Sequence, residues 1–201
     1  MMDSCNYDSD LIGGSLQVRE SRIIADLMLT QATADQWQQV IFVENQLQKR
    51  SPATAKRVAQ ALRKRLERVE APFWRAIRDG DDELATQATF CAVLERNLLL
   101  VEWIETVVAD AITSRAGHLS LYQWNEFLDD RSHRDSRIGG WTESSRKKMG
   151  QVVFRILAEI GLLHDTRSLQ LQKLMIRPET RQLLEQSSRH RLMACMEQMS
   201  R

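Results

Sequence analysis

The sequence predicts an all-α protein: a compact helical chain with helix-turn-helix-like units and one small β-hairpin wing. Three observations predict it. Among 201 residues there are only 8 Gly and 3 Pro, too few to punctuate a loop-rich or many-stranded chain. Apolar residues return at three- and four-residue intervals along most of the length, the spacing of one face of an α-helix. Hydroxyl side chains stand just before several of these runs, where the first free N–H groups of a helix need an acceptor.

Taken in order, residues 1–14 are polar and acidic and end in Gly13-Gly14, which reads as a flexible N-terminal arm and not as a secretory signal. From Leu16 an apolar track passes through Ile23, Ile24, Leu27 and Met28. Thr33 and Gln36 have the spacing of a capping box, opening a second helix with Trp37, Val40 and Ile41 on its buried track. The period breaks over 45–50. Ser51-Pro52 restarts it, because Ser caps well and Pro at the first helical position has no intrahelical bond to lose. The helix that follows places Ala55, Val58, Ala59, Leu62, Leu66 and Val69 on one face, and Lys56, Arg57, Gln60, Arg63, Lys64 and Arg68 on the other. Pro72 begins a short segment with Phe73, Trp74 and Ile77, closed by Asp79-Gly80.

Helices over 82–95 and 98–114 are apolar enough to form the centre of the fold. The run 98–112 carries Glu102, Glu105 and Asp110 and falls short of the ~20 apolar residues that span a bilayer. Ser120 caps a helix with Leu121, Trp124, Phe127 and Leu128, and the polar stretch 129–140 reads as a connection. Thr142 caps a long helix through Met149, Val153, Ile156 and Ile160, stopped by Gly161. Leu162-Leu163 and Leu169, Leu171 then alternate with polar residues about 164–168, which predicts a two-stranded hairpin. Pro178 opens one final helix through Leu184, Leu192 and Met196. The expected organisation is an arm over 1–14, a helical region over 15–116 with the first helix-turn-helix-like unit, and a winged-helix-like region over 117–201 packed with it as one unit.

The net charge of +1 conceals an asymmetry. From Lys49 to Arg68 there are eight Lys or Arg and one acid, Glu67, which points to a polyanion partner. Two short helices lead into this stretch and a basic helix leaves it, the helix-turn-helix order. There Lys49, Arg50, Lys56 and Arg57, with Arg63 and Lys64 further along, are placed to neutralise phosphates. The Ser51 and Thr54 hydroxyls are expected to reach phosphate or base edges. A solvated basic face is the plainer reading, but such a face normally mixes signs to gain i, i+4 pairs. The second candidate is the start of the long helix, Ser144, Ser145, Arg146, Lys147 and Lys148, with Arg167 at the hairpin tip; a core helix followed by an ordinary turn is its plainer reading.

Other chemistry finds no footing. Cys5, Cys91 and Cys195 form no CxxC pair and fit a reducing, cytoplasmic compartment. The four His lack metal-ligand spacing, and no P-loop, GxSxG or GxGxxG occurs. The expectation is therefore no catalytic site, no metal, no cofactor and no membrane span. Trp37, Trp103 and Trp124 fall on buried tracks and read as core.

Several segments resemble the BrxA family of BREX phage-exclusion gene clusters. They are Gly14-Ser15-Leu16 with Glu20 to Ala25, Leu47 to Arg57, Trp124 to Leu128, Trp141 with Ser145 to Lys148, and Arg155 to Leu163. The resemblance runs from Gly14 to the last helix. It implies a non-enzymatic bacterial component that binds double-stranded DNA through helix-turn-helix units and a wing, beside other BREX proteins. Carried onto this chain, DNA contact falls on the basic and hydroxyl residues of 49–57 and 144–148 and on Arg167. The family's likeness to the antitermination factor NusB keeps RNA as an alternative partner. A protein-interaction adaptor for other defence components is the rival from a different class.

Overall fold

The computed structural model describes Tyr7 and residues 14–201. Helices dominate, and among the described residues there is no strand and no sheet. The chain divides into two units, each considered by itself. The first comprises Leu16–Arg96 with Arg177–Gln186; the second comprises Asn97–Ile176 and Ser187–Arg201, with Tyr7.

In the first unit, α1 (Val18–Leu29) packs on α3 (Pro52–Leu66), α4 (Ala71–Asp79) and α5 (Asp82–Arg96), and α11 (Pro178–Gln186) packs on α5. The predicted apolar tracks meet here: Leu16, Ile24, Leu62, Leu66, Phe73, Ile77 and Phe90 are buried. Each such side chain contributes roughly 1.5–3 kcal/mol on leaving water. Arg65, from the basic stretch, turns inward at 7% exposure and donates to the Leu16 carbonyl at 3.0 Å. The capping box forms as expected, Gln36 N donating to Thr33 Oγ1 at 3.3 Å and Thr33 N to Gln36 Oε1 at 2.7 Å. It opens α2 (Ala34–Gln38), which widens into a π-helical turn over Gln39–Val43. Trp37 departs from its expected core role. It lies half-buried, with the Arg63 guanidinium 5.1 Å from its ring centroid.

In the second unit, α6 (Leu98–Trp103) continues through a π-helical turn, Ile104–Val108, into α7 (Ala109–Thr113). Around it stand α8 (Leu121–Ser132), α9 (Ser136–Gly139), α10 (Glu143–Glu159) and α12 (His190–Met199). Trp103 makes edge-on contacts with Trp124 at 5.2 Å, Phe127 at 5.3 Å and Phe154 at 6.4 Å between ring centroids. Gly150 lets α10 approach α8 closely, since a Cβ there would stand 2.7 Å from Trp124 Cδ1. Buried Arg131 pairs with Glu102, which also accepts from the Tyr7 hydroxyl at 2.8 Å. Tyr7 apart, the predicted arm over 1–13 lies outside the described residues.

Three expectations are corrected. The 129–140 connection is partly helical, because α8 runs on to Ser132 and the Asp135 carboxylate, accepting from Arg137 N at 3.0 Å, caps α9. The single final helix is two, interrupted at Ser188, whose left-handed backbone at φ 55° cannot continue a right-handed helix. The hairpin is reduced to isolated bridges, Leu163 with Leu171 and His118 with Gln170. Its ladder stops early because Asp165 Oδ1 takes the N–H groups of Arg167 (2.6 Å) and Ser168 (2.8 Å), and Leu169 turns left-handed at φ 51°. Among the described residues, no single helix is long and apolar enough to cross a membrane.

Candidate nucleic-acid interface

The chain reaches α3 through a turn held by Asn45. This residue sits at φ 47°; its Nδ2 donates to Lys49 O and its Oδ1 accepts from Lys49 N, both at 3.0 Å. Asn suits the post because its short amide tolerates the left-handed region and closes such turns locally. Ser51 then caps α3. Its Oγ accepts from Thr54 N at 3.2 Å and donates to Thr54 Oγ1 at 2.9 Å. Both predicted hydroxyl contacts are thus engaged in the cap, and Pro52 has no N–H to offer. The side-chain cations carry the chemistry at this helix start.

They divide sharply. Lys49 is half-buried and pairs with Glu20 at 2.7 Å. Burial pushes the Glu20 carboxyl up, but the Lys49 hydrogen bond and charge bring it below its ordinary value. Arg63 donates to Glu67 at 2.9 Å while it covers Trp37. Arg50, Lys56, Arg57 and Lys64 are exposed, and among the described residues none has a carboxylate partner. Lys56, Gln60 and Lys64 follow one another at four-residue intervals along the outer face.

The start of α10 has the same local construction. Thr142 Oγ1 accepts from Ser145 N at 3.2 Å and donates to Ser145 Oγ at 2.9 Å. Arg146 is not presented outward. Its Nη2 meets Asp129 Oδ1 at 2.5 Å, its side chain is 20% exposed, and its carbonyl accepts from Trp124 Nε1 at 3.0 Å. Ser144, Lys147 and Lys148 are exposed, and neither lysine has a carboxylate partner among the described residues. Arg167 is exposed at the tip of the 165–169 turn. That turn is firm: the Ser168 N–H, the His164 ring and the Arg167 N–H all bond Asp165 and hold its carboxyl far below the usual range.

Gln151 and Arg155 were missed. They continue the exposed stripe Ser144, Lys148, Gln151, Arg155 at helical spacing. The signal was present in the sequence but lay under the apolar track from Met149 onward. The two basic starts belong to different units, so each stands on its own geometry. Among the described residues, no group of three His, Cys, Asp or Glu is arranged to hold a metal ion.

Comparison with known proteins adds to this geometry. A family model described as BrxA matches residues 5–188. A protein called BREX protein BrxA from Paramagnetospirillum magneticum (strain ATCC 700264 / AMB-1) is 36% identical over 191 residues, covering 95% of this chain and 96% of its own. Its namesake from Escherichia coli O9:H4 (strain HS) is 33% identical over 188 residues, covering 94% of this chain and 88% of its own. A crystal structure of an uncharacterized protein from Magnetospirillum magneticum superposes with a TM-score of 0.86 at 34% identity, covering 94% of this chain and 97% of the other.

Proposed function

The chain belongs to the BrxA family of BREX phage-defence systems, and from that premise we propose that it is a non-catalytic component that binds double-stranded DNA. The start and outer face of α3 carry the proposal: Arg50 just ahead of the helix, and Lys56, Arg57 and Lys64 on it, stand exposed without carboxylate partners among the described residues. From Lys56 to Lys64 the helix rises about 12 Å, close to the width of a major groove. The order α2, turn, α3, with the turn held by Asn45, supports a helix-turn-helix reading of the first unit. In the second unit the order of bridge, α8, α9, α10 and bridged turn supports a winged-helix-like reading. There Ser144, Ser145, Lys147, Lys148 and Arg167 make backbone contacts, and Arg146 joins them only on leaving Asp129. Neutralised phosphates give sequence-tolerant affinity with a steep salt dependence.

The test is fluorescence anisotropy with a labelled duplex across a salt series. Wild type is expected to lose about three orders of magnitude in affinity over a fourfold rise in salt if ~6 phosphates are engaged. Lys56→Glu/Arg57→Glu is expected to weaken binding and flatten the slope. A shallow wild-type slope, or an unchanged double variant, overturns the reading. Competition with structured RNA separates the RNA alternative.

One observation favours the adaptor as a second reading. Phe42 and Val43 are 42% and 67% exposed on the π-helical turn that packs against α3. A pull-down of other BREX proteins that is lost in Phe42→Ser/Val43→Ser, with duplex binding intact, would favour it.

A further inference from the structure

A cavity of about 360 Å³ opens in the second unit between the outer face of α10, the first residue of α8 and the 165–169 turn. Leu121, Phe154 and Leu169 supply apolar wall; Gln151, Arg155 and Thr166 supply polar groups. Among the described residues, none of those three polar side chains has a protein partner. The frame around them is firm. Gly150 seats α10 against Leu121 and Trp124, and the Leu169 carbonyl accepts from Leu119 N at 2.9 Å although Leu169 is left-handed. A non-glycine residue held in that region is a feature that collects at ligand sites.

We infer that this cavity binds a single nucleoside monophosphate unit. Arg155 offers a planar fork that matches phosphate oxygens. The Gln151 amide both donates and accepts, as the edge of a base requires, and the Thr166 hydroxyl does the same. The apolar wall suits the face of an unsaturated ring and has no use for a bare phosphate. The volume lies at the lower end of ligand pockets, roughly 300–1,000 Å³, which fits one nucleotide and not a dinucleotide. The site is separate from the α3 face and does not depend on duplex binding there. Its ligand has two possible sources: a free mononucleotide, or the terminal nucleotide of a strand.

Calorimetry with AMP and with dTMP, inorganic phosphate as control, tests the first source. A short blunt duplex compared with the same duplex bearing one phosphorylated overhanging nucleotide tests the second. Saturable mononucleotide binding, or an overhang-dependent gain, supports the site when Arg155→Ala weakens it roughly tenfold or more and keeps the wild-type melting temperature. Lys56→Glu/Arg57→Glu is expected to weaken both duplexes while mononucleotide affinity holds. Equal binding of inorganic phosphate, indifference to Arg155→Ala, or binding of neither ligand overturns the inference, even with duplex affinity intact. Mononucleotide binding without any duplex affinity would instead sink the duplex reading alone.

Discussion

The beginnings of α3 and α10 are built alike and end up unlike. Each has a hydroxyl cap that takes the N–H three residues on and bonds a second hydroxyl, Ser51 with Thr54 and Thr142 with Ser145. Each is followed by adjacent cations. At α3, however, four cations meet water without a carboxylate among the described residues, whereas at α10 the leading Arg146 is bound to Asp129 and its carbonyl to Trp124. A basic string in sequence reports charge; only the packing says whether that charge is available to a partner. The frames differ as well. The turn before α3 is closed by a neutral amide, Asn45, while the short helix α9 ahead of α10 is capped by a carboxylate, Asp135.

The largest expected effect tests those frames. Trp124 is fully buried in the aromatic cluster behind α10, so Trp124→Ala should cost about 3–5 kcal/mol in urea denaturation. Trp37→Ala, behind α3, should cost only about 1 kcal/mol, since it removes a half-buried ring and one cation–π contact. Equal losses would break the contrast. Next in size is charge reversal. Lys56→Glu/Arg57→Glu should weaken duplex binding by about a hundredfold and Lys147→Glu/Lys148→Glu by about tenfold, because the cation that leads the second pair, Arg146, is already held by Asp129. Reversed order would move the principal contact to α10.

Much of this was legible from residues alone. The hydroxyl caps at Ser51, Ser120 and Thr142 and the capping box at Thr33 act locally, within one helical turn, and all form. What escaped was what depends on distant partners. Nothing near Arg146 in sequence announces Asp129, seventeen residues away. Arg65 falls within the basic stretch 49–68, yet its guanidinium turns inward to the distant Leu16 carbonyl. The alternation about 164–168 does not become a hairpin, because the Asp165 carboxylate takes N–H groups that a ladder would have used.

A smaller effect sharpens the contrast at Arg146. Asp129→Asn removes the charge that holds its guanidinium, freeing a further cation at the start of α10. Duplex affinity should rise about threefold, with a steeper salt slope, as one more phosphate is neutralised. An unchanged slope would mean that Arg146 stays packed against α8 without its ion pair.

The smallest effect separates the two frames by pH. Hydrogen bonds from Arg137 hold the Asp135 carboxyl at about 2, below the usual value near 3.8. A carboxylate with a depressed folded value stabilises the native state above the unfolded value and loses that contribution as pH falls toward the folded one. Asp135→Asn should therefore lower the denaturation midpoint at neutral pH, and the gap from wild type should close between about pH 4 and pH 2. Asn45 does not titrate, so the gap for Asn45→Ala should stay constant over the same window. At α3 acid acts in the same sense on stability, because the Glu20 carboxyl is also held below its ordinary value and protonating it releases Lys49. A gap for Asp135→Asn that persists at low pH would show that its carboxylate contributes by shape and neutral hydrogen bonding, and the two turns would then differ in sequence but not in physics.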